Sequence, residues 1–249
     1  MAVAIVVPCY NEERRFDAGA FERFLERAEE EVHFLFVDDG STDGTAAALG
    51  RLIERHPAAC RVLRLPENVG KAEAVRSGML AAFAESYSSV GFWDADLATP
   101  LDAIPRLDAL LRERPDLYMV FGSRVRLLGR EIHRSPARHY LGRMFATAVS
   151  LLLRLPVYDT QCGAKIFRAV PEVEGLFRQP FLSKWIFDVE IIARLIHSLG
   201  PDGASLAAER IYEYPLHEWH GVAGSKLRSR DFLAATVELT RIYRRYVAG

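Results

Sequence analysis

Cysteine is scarce in this chain, and no excess of charge of either sign is present. Cys9, Cys60 and Cys162 lie far apart and form no C-x-x-C pair, which argues against a disulfide framework and a zinc cluster. Free thiols fit a reducing cytosol. Lysine and arginine number 32 against 33 acids, for a net charge of −1. This balance argues against nucleic acid as a partner and restricts any basic patch to a local one.

Long hydrophobic runs and internal repeats are also missing. The apolar run after Met1 is far shorter than the roughly 20 residues of a spanning helix and follows no charged segment, so we expect neither a signal peptide nor a membrane span. Half of the 249 residues are hydrophobic, enough for the core of one α/β domain. We therefore predict a single domain over residues 1–249, whose halves, 1–123 and 124–249, differ in character.

The first half alternates short apolar runs with helical patterns. This rhythm is typical of an α/β fold with an open, twisted, mostly parallel sheet and helices on both faces. The predicted strands are residues 3–7, 33–37, 61–65, 90–93 and 117–122, and the predicted helices are residues 16–30, 42–55, 71–84 and 101–114. Ser41 or Asp43 is placed to cap the second helix. Five such strands predict a nucleotide-binding core.

The second half begins with a basic segment. Residues 124–154 are rich in arginine, contain Glu131 as their one acid, and end in an apolar series at helical spacing: Leu141, Met144, Phe145, Ala148, Val149 and Leu152. This pattern predicts an amphipathic helix. It either lies on an anionic membrane surface or packs in the core or in the interface of a homo-oligomer. Residues 232–247 form a second amphipathic segment with arginines on its polar side.

Polar residues follow three of the predicted strands. Residues 8–12 read Pro-Cys-Tyr-Asn-Glu, residues 38–41 read Asp-Asp-Gly-Ser, and residues 94–96 read Asp-Ala-Asp. In open parallel sheets the ligand lies beyond the carboxyl ends of the strands, so the three segments are expected to meet in one crevice. Each segment alone is also ordinary turn or cap chemistry.

The Asp94-Ala95-Asp96 segment is a candidate metal site. Two residues apart in extended chain, both carboxylates point to the same side, and Mg²⁺ and Mn²⁺ prefer oxygen ligands of this kind. The alternative is that one aspartate caps the helix starting near Pro100 and the other is solvated.

Together, residues 7–13, 37–45 and 94–96 resemble the signatures of family 2 glycosyltransferases with the GT-A fold. Residues 122–124, 159–167, 185–190 and 224–227 are similar to dolichyl-phosphate β-glucosyltransferases and their bacterial polyprenyl-phosphate relatives. The resemblance implies a UDP-sugar donor, a divalent metal and a polyprenyl phosphate acceptor. Ala98-Thr99 stands where lipid-phosphate mannosyltransferases often have Gln-His, which favours a glucosyl donor.

The resemblance also implies roles for individual residues. The nucleotide sugar would be held by Pro8, Tyr10, Asn11, Glu12, Asp38, Asp39, Gly70, Lys71, Asp94 and Ala95, the metal by Asp94 and Asp96, and the acceptor by Gln161 and Lys226. Gly70 and Lys71 precede a helix, where free N–H groups favour anions. Arg124 offers a guanidinium suited to phosphate.

The expected reaction is an in-line displacement that inverts the anomeric carbon. A lipid phosphate is already an anion, so a positioning residue suffices, whereas a hydroxyl acceptor would demand a base. Asp159 is the preferred candidate for either role and Asp188 the second, unless Asp188 caps the helix of residues 189–197.

Other functions fit the sequence less well. A dehalogenase-type phosphatase is disfavoured because Ala98 stands where its motif needs a hydroxyl. A dinucleotide enzyme is disfavoured because the first turn lacks Gly-x-Gly-x-x-Gly. A glycosyltransferase acting on a soluble or glycan acceptor and a non-catalytic sugar-nucleotide binder stay open. We expect the protein in the cytoplasm, with the membrane's cytoplasmic face as its place of work if the acceptor is a lipid.

Overall fold

The computed structural model describes residues 2–133, 136–221 and 229–248. The strands are β1 Val3–Cys9, β2 Val32–Asp39, β3 Cys60–Leu65, β4 Ser89–Trp93, β5 Met119–Ser123, β6 Glu131–His133, β7 Ala164–Arg168, β8 Ile211–Pro215 and β9 Glu218–His220. The helices are α1 Ala18–Arg27, α2 Thr45–Arg55, α3 Lys71–Phe83, α4 Ile104–Glu113, α5 Pro136–Leu153, α6 Pro171–Arg178, α7 Phe187–Ser198, α8 Gly203–Arg210 and α9 Ser229–Ile242.

A seven-stranded sheet runs in the order β3-β2-β1-β4-β7-β5-β8. Only β7 is antiparallel to its neighbours in this sheet, pairing with β4 on one side and β5 on the other. The strands β6 and β9 form a separate parallel pair. The predicted mostly parallel sheet is confirmed. Because β7 lies between β4 and β5, residues from both halves of the chain build one sheet.

Alternation along β1 divides the core between the two faces of the sheet. Ala4 and Val6 point into one apolar cluster, which α3 and the helices α5 to α9 cover. Val3, Ile5 and Val7 point into the other, which α1, α2 and α4 cover. Helices therefore lie on both faces, as predicted, and the carboxyl ends of the parallel strands are left as the open edge.

Several element boundaries differ from the sequence prediction. The helices α1 and α2 start later than predicted, and residues 101–103 form a 3₁₀ turn before α4. Asp43, not Ser41, receives the backbone N–H of Thr45 at 3.0 Å at the start of α2. The strands β7 and β8 were not predicted from the sequence.

The helix α5 is apolar on two faces. Val149 and Leu153 are buried against the core, whereas Tyr140, Leu141, Met144 and Leu151 are 69%, 45%, 72% and 75% exposed. The predicted single stripe is therefore wrong in part, because Val149 faces the core while Met144 and Leu141 face outward. Within the described residues, no helix combines the length and hydrophobicity needed to cross a membrane.

Candidate active site

The loops after β1 and β2 hold each other by hydrogen bonds. Asn11 donates its N–H to the Ser41 hydroxyl at 3.1 Å, and its side-chain oxygen accepts the Thr42 N–H at 2.9 Å. The Glu12 N–H is donated to the Thr45 hydroxyl at 2.8 Å. Asn11 has a φ of 52°, a left-handed conformation that asparagine tolerates better than most residues. Two of the three predicted segments thus form one rigid wall.

Asp39 fixes the loop that leads into α3. Its carboxylate, 2% exposed, accepts N–H groups from Val69 at 2.8 Å and Gly70 at 3.0 Å and the Asn68 side-chain amide at 2.9 Å. Burial raises the pKa of Asp39, the backbone hydrogen bonds oppose that shift, and Asp38 adds to it. The Gly70 N–H is therefore already engaged within the protein.

Asp94 and Asp96 follow β4 directly, at the open edge of the sheet. The Lys71 ammonium lies 2.5 Å from Asp94 Oδ1. Burial disfavours the charged ammonium, but Asp94 and Asp188, followed by Asp96, outweigh it and raise the pKa of Lys71. Burial, and then the charge of Asp94, raise the pKa of Asp96. Two crowded carboxylates at this position attract cations.

These carboxylates fit a hard divalent cation. Asp94 Oδ1 already binds an ammonium group, and the pKa of Asp96 is raised first by burial and then by the charge of Asp94. Among the described residues, no group of three or more His, Cys, Asp and Glu side chains could hold a metal ion. A cation bound by Asp94 and Asp96 would therefore take further oxygen ligands from a diphosphate and water.

Arg124 and Asp159 form a bidentate pair beside this site. Arg124 donates its Nε–H and Nη2–H to the two Asp159 oxygens, each at 2.6 Å, and its backbone N–H to Oδ2 at 3.0 Å. Burial disfavours the guanidinium charge, but Asp159 more than offsets this and raises the pKa of Arg124. The charge of Asp94 also acts on Arg124, so the pair belongs to the same cluster as Lys71.

Asp188 is bound to a lysine inside the sheet. Lys165, which is 0% exposed, places its ammonium 2.5 Å from Asp188 Oδ1 and donates to the Cys162 carbonyl at 2.5 Å. The helix α7 begins at Phe187 and has no side-chain cap, so Asp188 does not cap it. Asp94, Lys71, Asp188 and Lys165 thus form a chain of alternating charges.

The remaining predicted site residues differ in their contacts and burial. Glu12 pairs with Arg15 at 2.5 Å, and Ala95 is buried between the two aspartates. Gln161 donates its N–H to Asp159 at 3.3 Å, and its side-chain nitrogen is buried with no hydrogen-bond partner in the described part of the chain. Lys226 lies outside the described residues. Pro8 and Tyr10 lie at the end of β1 and in the turn after it.

Sequence reasoning gave Lys165 no role and missed Glu213. A lysine inside the apolar run of residues 164–167 is a signal, because a charge in a buried strand needs a partner. Glu213 lies between two tyrosines in β8, where alternation cannot distinguish a buried carboxylate from a solvated one.

Comparison with known proteins identifies the family. Residues 4–172 match the sequence profile of Glycosyl transferase family 2. The chain belongs to glycosyltransferase family 2. It is 31% identical over 255 residues to the dolichyl-phosphate β-glucosyltransferase ALG5C of Trichomonas vaginalis, covering 98% of this chain and 71% of that one. It is 32% identical to the Drosophila melanogaster dolichyl-phosphate β-glucosyltransferase, covering 100% and 76% of the two chains.

Solved structures give the fold of this glycosyltransferase. Glucosyl-3-phosphoglycerate synthase of Mycobacterium tuberculosis with UDP superposes with a TM-score of 0.66 at 21% identity, covering 98% of this chain and 80% of that one. The same enzyme with Mn²⁺, UDP and glucosyl-3-phosphoglycerate gives a TM-score of 0.65 at 21% identity, with 99% and 77% covered. The predicted GT-A fold is confirmed.

Proposed function

We propose that this glycosyltransferase transfers glucose from UDP-glucose to a polyprenyl phosphate, with inversion at the anomeric carbon. The main support for this proposal is that Lys71, Arg124 and the carboxylates of Asp94 and Asp96 form one electrostatic cluster at the open edge of the sheet. Two cations beside a pair of metal-binding carboxylates suit a reaction in which both the leaving group and the nucleophile are phosphate anions. The names of the relatives support the donor sugar and the lipid acceptor.

Each part of the cluster has a separate task in this proposal. Asp94 and Asp96 would hold Mg²⁺ or Mn²⁺, which neutralises charge on the departing diphosphate. Lys71 meets the diphosphate from the start of α3. Pro8, Tyr10, Asn11, Glu12, Asp38 and Asp39 shape the wall against which the nucleotide rests.

In this proposal Asp159 has a positioning role and does not accept a proton from the acceptor. Its carboxylate accepts three hydrogen bonds from Arg124, so both of its oxygens are already engaged. An acceptor phosphate needs no base, because its oxygen is already anionic. The Asp188 carboxylate is engaged in an ion pair with Lys165.

A transfer assay tests the proposal. Purified protein with Mn²⁺ or Mg²⁺ is given UDP-glucose, UDP-galactose or GDP-mannose with a short polyprenyl phosphate, 3-phosphoglycerate or no acceptor. We expect a lipid-linked product from UDP-glucose with the lipid phosphate. A clear preference for GDP-mannose would contradict the donor, and transfer to 3-phosphoglycerate alone would contradict the acceptor.

The metal role has its own test. We expect UDP binding, measured by calorimetry with Mn²⁺, to weaken strongly in chelator and in Asp96→Ala. Asp102→Ala, at an exposed aspartate in the 3₁₀ turn before α4, is the control and should bind like wild type. Undiminished affinity in both chelator and Asp96→Ala would remove the metal from the proposal.

The exposed apolar face of α5 supports the proposal that the enzyme acts at a membrane surface, on its cytoplasmic face. The Arg143 guanidinium lies 3.6 Å from the centre of the Tyr158 ring and donates to the Tyr158 carbonyl at 3.0 Å. The helix is therefore tied directly to the residue before Asp159. A lipid acceptor held at α5 would thus arrive beside the Arg124–Asp159 pair.

A further inference from the structure

Glu213 is a half-buried carboxylate on β8, an edge strand of the large sheet. Its two oxygens accept the backbone N–H of Tyr158 at 2.8 Å, the backbone N–H of Asp159 at 2.5 Å, and the Ser123 hydroxyl at 3.1 Å. Three donors from two distant chain segments thus converge on one side chain.

One of these donors is Asp159 itself, and the other two directly precede Arg124 and Asp159 in the chain. Ser123 is the last residue of β5 and directly precedes Arg124. Tyr158 and Asp159 belong to the segment between α5 and β7, where no regular strand fixes the backbone. In the parallel pairing of β5 with β8, Phe121 lies opposite Glu213. This register fixes the position of Glu213 along the strand direction.

A carboxylate fits this arrangement of donors. It accepts at both oxygens and donates nothing, whereas a glutamine amide would turn an N–H₂ group toward one of the donors. Burial raises the pKa of Glu213, the two N–H groups and the Ser123 hydroxyl oppose this shift, and the charge of Asp159 adds to it.

We propose that Glu213 is a positioning residue that fixes the geometry of the Arg124–Asp159 pair. It acts through Asp159 and Ser123 and does not itself touch the substrates. The kinetic part of this inference rests on the proposed transfer reaction, whereas the structural part does not.

The first test follows the Arg124 side chain itself. In a ¹H–¹⁵N spectrum the Arg124 Nε–H, assigned by its loss in Arg124→Lys, should be slowly exchanging because it is bound to Asp159. We expect Glu213→Gln to move this signal toward the position of a free arginine and to speed its exchange. An unchanged signal in a folded Glu213→Gln protein would overturn the proposal.

A matched control separates positioning from general stability. Asp108 is a buried carboxylate that likewise accepts a serine hydroxyl, from Ser89 at the start of β4, and it pairs with Arg112 at 3.3 Å. It lies at the other end of the sheet from Asp94. Asp108→Asn should lower the Tm and leave the Arg124 signal unchanged.

Kinetics supply the second readout. We expect Glu213→Gln to lower kcat for transfer at least about 10-fold, while UDP affinity with Mn²⁺ stays within about twofold because the nucleotide wall is separate. Asp108→Asn should keep the wild-type kcat at temperatures below its Tm. Equal kcat in Glu213→Gln and Asp108→Asn would show that Glu213 serves stability alone.

The role of Glu213 can be tested even if Glu213→Gln does not fold or the wild type shows no transfer. If Glu213→Gln does not fold, Ser123→Ala, which removes one of the three donors, takes its place: a shifted Arg124 signal supports the proposal and an unchanged one overturns it. If wild type transfers no glucose to any acceptor, the proposed function fails, and the spectroscopic comparison still decides the role of Glu213.

Discussion

Gly163 shows how closely the site is packed at the scale of a single residue. Its carbonyl accepts the Asp94 N–H at 2.9 Å, and a Cβ built on Gly163 would overlap the Asp94 carboxylate. Any side chain there must push Asp94 away from its position. The need for glycine at this point therefore comes from a carboxylate almost 70 residues earlier in the chain.

We expect Gly163→Ala to weaken UDP binding in the presence of Mn²⁺ by about 10-fold or more, because displaced ligands cost binding free energy of this order. Calorimetry with UDP and Mn²⁺ measures the effect. Gly175→Ala is the matched control, since a Cβ at Gly175 in α6 meets nothing within 4 Å. It should bind UDP normally and stabilise the helix by roughly 0.5–1 kcal/mol. Equal affinity in the two variants would contradict this account of Gly163.

Lys165 is a second residue at which the surroundings determine the effect of a substitution. Its ammonium is fully buried between Asp188 and the Cys162 carbonyl, with the rings of Phe92 and Phe121 centred 5.3 and 5.6 Å away. Removing the lysine would leave the Asp188 charge uncompensated at one of its oxygens.

Lys165→Met should therefore lower the free energy of unfolding by about 3–5 kcal/mol. Urea denaturation with constant m-value measures it. The double variant Lys165→Met with Asp188→Asn should recover a part of this loss, because no unpaired charge remains buried. A double variant no more stable than Lys165→Met alone would show that lost packing, rather than charge, sets the cost.

At the scale of elements, local pattern predicts the first half of the sheet and fails for the second. The strands β1 to β5 are apolar runs between turn residues, so their existence follows from the sequence, with ends shifted by one or two residues. The strand β7 carries Lys165, and β8 reads Ile-Tyr-Glu-Tyr-Pro. Both are strands because of their neighbours in the sheet, and those neighbours are distant in sequence.

The candidate site divides in the same way. The strand-end rule predicts that residues 8–12, 38–41 and 94–96 lie at one edge, because strand direction is a local property repeated along the chain. The pairs Arg124–Asp159 and Lys165–Asp188 and the bonds of Glu213 depend on the order of β7, β5 and β8. A single sequence does not encode that order in any local pattern.

The helix α5 carries a prediction of its own. If its outward face inserts into anionic membranes, Met144→Glu or Leu151→Glu should weaken vesicle binding about 10-fold, since burying each of these side chains is worth about 1.5 kcal/mol or more. Flotation with vesicles of phosphatidylcholine alone and with phosphatidylglycerol added, at low and high salt, measures it. Ala47→Glu adds the same charge at an exposed position of α2 and should bind like wild type.

Absence of binding would decide between the two interpretations of this face. If wild type does not float with anionic vesicles at low salt, even with polyprenyl phosphate present, the membrane proposal fails. The exposed side chains of α5 would then be expected to meet a second copy of the chain, and light scattering would show a dimer that Met144→Glu dissociates.

At the scale of the whole molecule, the two halves share one sheet and both apolar clusters. The strand β7 supplies hydrogen bonds to both β4 and β5. Phe92 from the first half packs on Phe167 and Phe187 from the second, with ring centroids 6.0 and 5.8 Å apart. The boundary near residue 123 is therefore a change in sequence character and not a break in the packing.

This sharing leads to the prediction that residues 1–123 do not fold alone. In that fragment the edges of β4 and β5 would lose their β7 partner, and Phe92 would lose the rings of Phe167 and Phe187, at a cost of about 1.5–3 kcal/mol for each large side chain exposed. With several such side chains, the loss matches the 5–15 kcal/mol that typically stabilises a whole domain. We expect no sigmoidal urea transition by circular dichroism for the fragment, and one calorimetric transition for the full chain with equal calorimetric and van't Hoff enthalpies. Two resolved transitions in the full chain, or a cooperative transition in the fragment, would show that residues 1–123 form a domain in their own right.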